Sequence, residues 1–513
     1  MTAPFHNFYR GKTVLVTGHT GFKGSWLALW LTHLGARVVG YALDPPTHPS
    51  HFHASRLAHY VTDIRGDVRD YALLEKTLRT YQPEVVFHLA PAERIYDIAA
   101  RGLPGRYPHW RFGQEYERMK LDHDHGRSRI YELVLNTDPY QAYLLEGNSW
   151  VAQLLVMAHV YGHCWFFEHN GHFADVDRRF LPRVRAGAER IEDYCRRHGR
   201  AEVEDFVDAV QAIAHHAPSR LVATPRSGPP PAPVADRYAD LFPDETAATA
   251  ERHREERAAW AQRVPREPEP DLLGFLMAHG PRLADWQRDV ISIIREEAAY
   301  FFPQRRTKIA NEGFAVWVHS QIVQALQLGT GEFVEYNRLN AGIGQPHPFS
   351  VNPYNLGYEL WREVERIYDH PTPEERERFP GAGEISGRER VLELAATCDD
   401  ASLVAAFLTP EVCDRCQLYA WQAEGATRLR CTSREADEIR RALVNQLSHL
   451  SVPRIEITDA DAFRAGGLWL VHRQEGVGLD AQYAANTLPH LASLWGRRVY
   501  LETVAVADDG TTT

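Results

Sequence analysis

The 513-residue sequence predicts three architectures in series: an α/β lobe on a parallel sheet, a mainly α-helical body, and a small C-terminal α+β module. Three observations predict them. Within residues 12–35 a β-branched run enters a glycine-rich turn and then an apolar helix. From Pro91 to about residue 400 the chain reads as helix almost throughout. After residue 406, short apolar and aromatic runs alternate with two helical stretches.

Lys12–Thr17 (KTVLVT) reads as a buried strand and runs into Gly18-His-Thr-Gly21-Phe-Lys-Gly24, then the helix SWLALWLTHLG. Glycines there let the backbone approach a pyrophosphate seated on the helix N-terminus. Arg37–Tyr41 is a second strand, and Val85–Leu89 a fourth. Asp67 follows the short strand between them and is placed to contact an adenine. Residues 1–90 thus read as a half-Rossmann lobe, with Gly18, Gly21, Gly24 and Asp67 as candidate NAD-binding residues. A half sheet leaves an open parallel edge and an uncovered face, so NAD binding is expected to be weak or absent.

Residues 91–216 form the first part of the helical body. Arg127–Asp138 ends in a turn before Pro139, and Tyr140–His169 reads as one or two long apolar helices. Val176–His198 and Ala201–His216 are amphipathic and charged. Residues 217–271, rich in proline, read as a linker or lid. Helix resumes over 272–405. Residues 406–513 follow the order β-β-α-β-β-α-β, which is ferredoxin-like and carries no catalytic cluster, so docking or regulation is expected of it.

The chemistry concentrates in the body. His159 and His163 stand four apart in the apolar run AHVYGHCWFF. On a helix that spacing puts both on one face, about 5–6 Å apart at Cβ, and lets them share a metal ion. Position 160 is Val, so the HExxH base is missing. In NEGFAVWVH, Glu312 and His319 are seven apart, two helical turns. The expected metal ligands are His159, His163, Glu312 and His319, and the expected catalytic carboxylates are Glu146, as base, and Glu312. One zinc with a hydrolytic water, two iron or manganese ions, and a metal-free hydrogen-bond network in a regulatory scaffold all remain open. His347 is a further ligand or a turn residue, and Cys398, Cys413, Cys416 and Cys431 are a four-thiolate zinc site or plain thiols.

A net charge of −11 disfavours a nucleic-acid surface, while leaving room for a local basic patch. Six cysteines make no disulfide framework, the N-terminus lacks a signal-peptide core, and no apolar run reaches membrane-spanning length. A cytoplasmic protein is expected.

Two resemblances divide the chain. GKTVLVTGHTGFKGSWLALWL, GYALDPPTHPS, GDVRDY and PEVVFHLA resemble the N-terminus of CDP-glucose 4,6-dehydratase, an extended short-chain dehydrogenase. The resemblance stops at Ala90, before that family's Thr/Ser, Tyr-x-x-x-Lys pair and sugar-nucleotide domain. Tyr116 and Lys120 have the spacing but stand in a different family's motif, so dehydratase activity is not expected. IYDIAARGLPGRYPHWRFG, YELVLNTDPYQAYLLEGNS, AHVYGHCWFFEHN, FFPQRRTKIANEGFAVWVHS, NPYNLGYELWREVERI and RRVYLETV resemble the SpoVR (stage V sporulation protein R) family over 91–513. That resemblance implies a cytosolic protein linked to spore-cortex formation. Outside spore formers it implies work beside a PrkA-type serine kinase and a von Willebrand-type partner under stress. Glu146, Asn148, His159, His163, Asn311, Glu312 and His319 stand inside the matching motifs. Both halves look truncated at one junction, as in a fused reading frame.

Overall fold

A computed structural model of the chain describes residues 8–68, 70–90, 92–124, 132–145, 147–216, 264–346, 350–424, 428–474 and 478–504. By its contacts the chain divides into two compact units, Met1–Ala188 with Arg306–Val444, and Glu189–Arg305 with Asn445–Thr513.

The first unit is built around a six-stranded sheet. Strands β1 (Thr13–Thr17), β2 (Arg37–Ala42), β3 (Thr62–Arg65), β4 (Val85–Ala90), β5 (Glu132–Leu135) and β6 (Tyr140–Leu145) lie in the order β3-β2-β1-β4-β6-β5. All pairs are parallel except β5 with β6. All five residues of β1 (TVLVT) are buried, as a strand covered on both faces requires. Helix α1 (Phe22–His33) follows the glycine-rich turn.

This architecture overturns two expectations. The parallel sheet does not stop at Ala90, because β6 pairs with β4 from Val85–Tyr140 to Ala90–Leu145, covering the edge expected to be open. Nor is Tyr140–His169 helix throughout. Tyr140–Leu145 (YQAYLL) is strand, and Ser149 then caps α2 (Trp150–His169), its side chain accepting from the Ala152 N–H. The apolar run carried no periodicity that could separate a buried strand from a buried helix.

Helix α2 is buried along most of its length, as is α3 (Lys308–Ala325), against which it packs. Helix α4 (Thr330–Ile343) also touches α2, and α5 (Pro353–Asp369) packs against α3. Two glycines set these approaches. A Cβ on Gly162 would lie 2.7 Å from the Ala315 Cα, and one on Gly313 would lie 2.1 Å from the Gly357 backbone. Each neighbours a candidate ligand, His163 and Glu312, so the closeness of the helices and the position of the site have one cause. Asp400, 2% exposed, anchors the start of α3 by accepting from the Ile309 and Ala310 N–H groups at 3.0 and 2.8 Å. A hairpin of β7 (Ala420–Glu424) and β8 (Arg428–Ser433) completes the described strands of this unit.

In the second unit, β9 (Arg454–Ala462), β10 (Gly467–Arg473) and β11 (Val499–Glu502) form a sheet of order β11-β10-β9. Helix α6 (Ala481–Trp495) joins β10 to its parallel neighbour β11. Leu468, Leu470, Leu491, Leu494 and Trp495 are buried beneath the sheet. The expected single module over 406–513 is therefore split. Its first two strands are a separate hairpin, its last three form their own sheet, and the ferredoxin-like order is not realised.

Candidate metal centre

The site lies where α2 and α3 meet. One turn apart on α2, His159 and His163 stand edge-to-face with ring centroids 4.6 Å apart. Their Nε2 atoms converge on one atom of α3: Glu312 Oε2 is 3.5 Å from His159 Nε2 and 3.4 Å from His163 Nε2. His159 Nε2 and Glu312 Oε2 are buried without a hydrogen-bond partner. Among the described residues, His159, His163 and Glu312 form the one group whose donor atoms, all within 4.8 Å of one another, can hold a metal ion.

The nitrogens facing away fix the tautomers. His163 Nδ1 lies 2.9 Å from Asn311 Oδ1. An amide oxygen only accepts, so Nδ1 carries the proton and Nε2 is the atom left for a ligand. The other histidine is set through a relay. His319 Nε2 donates to Asn340 Oδ1 at 2.9 Å, and the bare Nδ1 of His319 accepts from His159 Nδ1 at 3.2 Å. Burial, with the charge of His159 second, pushes the His319 pKa down to about 3, so this ring is neutral, as the relay requires. Both metal-facing Nε2 atoms are thereby oriented from behind, the arrangement metal-binding histidines share.

The electrostatics follow from burial and proximity. Burial lowers the pKa of His159. Burial opposes protonation of His163 as well, but the Glu312 carboxylate outweighs it and raises that pKa. Burial would raise Glu312, yet His163 and His159 hold it well below the usual carboxylate range. Two further groups complete the surround. Glu132, on β5, has Oε1 4.0 Å from His159 Nε2, and its pKa is pushed up to about 7, chiefly by burial. Tyr354, on α5, lies with its ring centroid 6.0 Å from that of His159, and the Glu312 carboxylate's charge, then burial, drives its phenol pKa well up.

Of the four expected ligands, three come together. His319 does not join them, because both its nitrogens are engaged behind His159. Two helical turns bring Glu312 and His319 to one face but also hold them at different depths along α2. Glu146 and His347 lie outside the described residues. Asn148 is fully buried, and its carbonyl accepts from the Lys23 ammonium. Glu132 was missed by sequence reasoning; the available signal was an acid heading the strand-like ELVL.

In the glycine-rich turn, two glycines are required by the backbone itself. Gly18 has φ +73°, and a Cβ on Gly24 would lie 2.0 Å from the Gly18 carbonyl oxygen. The Asp67 backbone carbonyl accepts from the Tyr41 hydroxyl. Trp150, at the start of α2, lies 6.1 Å from Trp26 and 5.9 Å from Trp30 of α1 by ring centroids. The cysteines are free thiols; Cys413 and Cys416 are buried, and none joins a metal-holding group among the described residues.

Fold and site together define a mainly helical protein on a mixed, largely parallel sheet, with a buried two-histidine, one-carboxylate cluster between two helices. The family model for SpoVR-like proteins matches residues 56–452, and that for the SpoVR-like C-terminal domain matches 453–506. The chain belongs to the SpoVR family. It is 26% identical over 469 residues to the uncharacterized protein YcgB of Escherichia coli (strain K12), covering 84% of this chain and 90% of that one. It is also 56% identical over 84 residues to CDP-glucose 4,6-dehydratase of Salmonella typhimurium, 16% of this chain and 23% of that enzyme. Among the described residues no helix is long and apolar enough to cross a membrane.

Proposed function

We propose that His159, His163 and Glu312 hold one divalent metal ion and that the protein is a metal-dependent hydrolase. The observation that carries this is the convergence of two backside-oriented imidazole Nε2 atoms on a single Glu312 oxygen, 3.5 and 3.4 Å away. Three acceptor atoms facing one point need a cation or a proton between them. Two nitrogens and one oxygen match zinc in hydrolytic sites, where the fourth position stays open. A divalent ion there would bring the pKa of a coordinated water to near 7. Glu132 stands beside His159 as the base, with a pKa suited to proton transfer near neutrality. The sequence assigned that role to Glu146, which lies outside the described residues, and Tyr354 brings a phenol ring to within 6.0 Å of His159 by centroids. Iron or manganese in a two-ion site fits less well, because His319 is committed to the relay.

The family supports a link to sporulation. A part in spore-cortex formation or the stress response, beside a PrkA-type kinase and a von Willebrand-type protein, is proposed from that resemblance alone. The second reading, a metal-free regulatory scaffold, draws on the raised pKa of His163: a proton on that ring, paired with Glu312, also closes the cluster. NAD binding at Gly18, Gly21, Gly24 and Asp67 stays the weakest reading, since the close turn accounts for Gly18 and Gly24.

Elemental analysis of the purified full chain separates the readings. One zinc per chain, lost in His163→Ala and in Glu312→Gln, is expected. Two iron or manganese ions would replace the mononuclear reading, and metal-free protein that takes up no added zinc would leave the scaffold.

A further inference from the structure

The second unit holds a pocket that the metal centre does not use. Its volume is about 340 Å³, and it lies between the strands β9 to β11, helix α6 and the turn that follows the helix Arg200–Ala212. Ile213, Leu272, Leu470 and Leu491, each at most 3% exposed, line its depth. Tyr483, 74% exposed, stands at its mouth. A mainly apolar cavity of this size with a few polar groups is the usual form of a small-molecule site.

One side of the pocket is polar and next to a cation. His216 lines it, and the ring makes no hydrogen bond among the described residues. Burial first, then the charges of His215 and Arg305, push the His216 pKa down to about 4, so the ring is neutral and carries one N–H to donate. Arg305, in the last turn of the helix Asp285–Arg306, donates from Nη1 to His215 Nδ1 at 2.8 Å. That uses one N–H of a guanidinium that has several. Among the described residues no carboxylate pairs with Arg305, and burial lowers its pKa. A half-buried guanidinium ordinarily has an acidic partner, because an uncompensated charge away from water is costly. Asp480, the acid on the pocket wall, does not fill that role. It is exposed, caps α6 by accepting from the Tyr483 N–H at 2.9 Å, and is not among the charges acting on His216 or Arg305.

We propose that this pocket binds a free medium-chain carboxylate, its alkyl chain of about eight to ten carbons in the apolar depth and its head held by His216 and Arg305. The volume sets the length: an apolar cavity of about 150 Å³ takes one benzene ring, and this one is a little over twice as large. The donors set the head group. A single guanidinium beside a neutral imidazole matches one planar, singly charged carboxylate, whereas a phosphate dianion would keep a charge unpaired. A peptide is the poorer occupant, since its amides would enter an apolar depth with few partners.

Isothermal titration of the full chain with sodium decanoate tests this, beside hexanoate, octanoate, tetradecanoate and the uncharged decanol. Saturable one-site binding is expected. It should tighten about threefold to fourfold per methylene up to decanoate and then level off as the pocket fills. Decanol should bind about tenfold or more weakly than decanoate. Arg305→Gln should bring decanoate down to the level of decanol and leave decanol unchanged. Ala484→Phe, which places a ring on the pocket wall, should abolish both. The chain-length series and the comparison with decanol need no substitution, so they decide the matter if either variant loses its fold by circular dichroism. Absence of saturable binding overturns the proposal. So does equal binding of decanol and decanoate with no effect of Arg305→Gln, or undiminished binding by folded Ala484→Phe, which marks detergent-like association at the surface.

Discussion

Replacing Gly162 by alanine tests whether helix spacing sets the metal centre. The new methyl would lie 2.7 Å from the Ala315 Cα, 3.2 Å from the Ala315 Cβ and 3.3 Å from the Val318 Cβ. Carbon atoms rest at about 3.5–4.0 Å, so α2 and α3 must part by about 1 Å at this point. The obstacle is backbone in a buried helix, which no rotamer change can clear. Overpacking of this kind costs about 1–3 kcal/mol of stability. The same displacement acts on the site, because His163 is the next residue and its partner Glu312 rides on the other helix, 3.4 Å away atom to atom. Ligands must sit within about 0.2 Å of their ideal distance, so zinc affinity should fall by tenfold or more. Competition with a chromogenic chelator measures the affinity, and thermal unfolding measures the stability. A Gly162→Ala protein that melts lower yet binds zinc as tightly as the parent would refute the coupling of packing to site.

Three further outcomes are expected. His319→Ala should weaken zinc binding about 10–100-fold without abolishing it, because it removes the relay behind His159 and not a ligand; complete loss in the same chelator assay would restore His319 as a ligand. Zinc affinity should rise with pH through the His163 titration, about one decade per unit while one proton is displaced, then level off; its raised pKa places this rise above the ordinary imidazole range, and isothermal titration at several pH values reads it. For Asp400, burial pushes the folded-state pKa up to about 7, against about 3.9 in an unfolded chain. Folding therefore favours its neutral form, and the stability this brings is present at low pH and lost as pH rises from about 4 to 7. Asp400→Asn, which stays neutral, should lose less stability than the parent over that interval in urea unfolding; parallel pH curves would show that the carboxyl titrates normally.

Some of this was legible in residue order because it depends on neighbours along the chain. The β1–turn–α1 unit follows from a β-branched run, glycines and an apolar run in immediate succession. The pairing of His159 with His163 follows from the pitch of a helix, which four residues suffice to express. Glu312 was visible as an acid in an apolar helix, a residue that needs a partner. The reading failed where an identical local signal admits two answers. YQAYLL is apolar and aperiodic, and it became strand because the edge of β4 stood open beside it. His319 shares a helical face with Glu312, yet whether a shared face becomes a shared ligand set depends on what lies opposite, and Asn340 lies there.

By itself the sequence determined the local conformations, the charge and the chemical identity of the donors. Only the tertiary structure decided which donors meet. Glu132 and His159 approach within 4.0 Å because an antiparallel strand and a buried helix are packed together, and Gly162 and Ala315 bring two helices separated by some 150 residues of chain close enough for one oxygen to face two imidazoles. Such contacts arise from the shape of packed surfaces. No spacing between residues encodes them, since burial drives helices and strands together without regard to their distance along the chain.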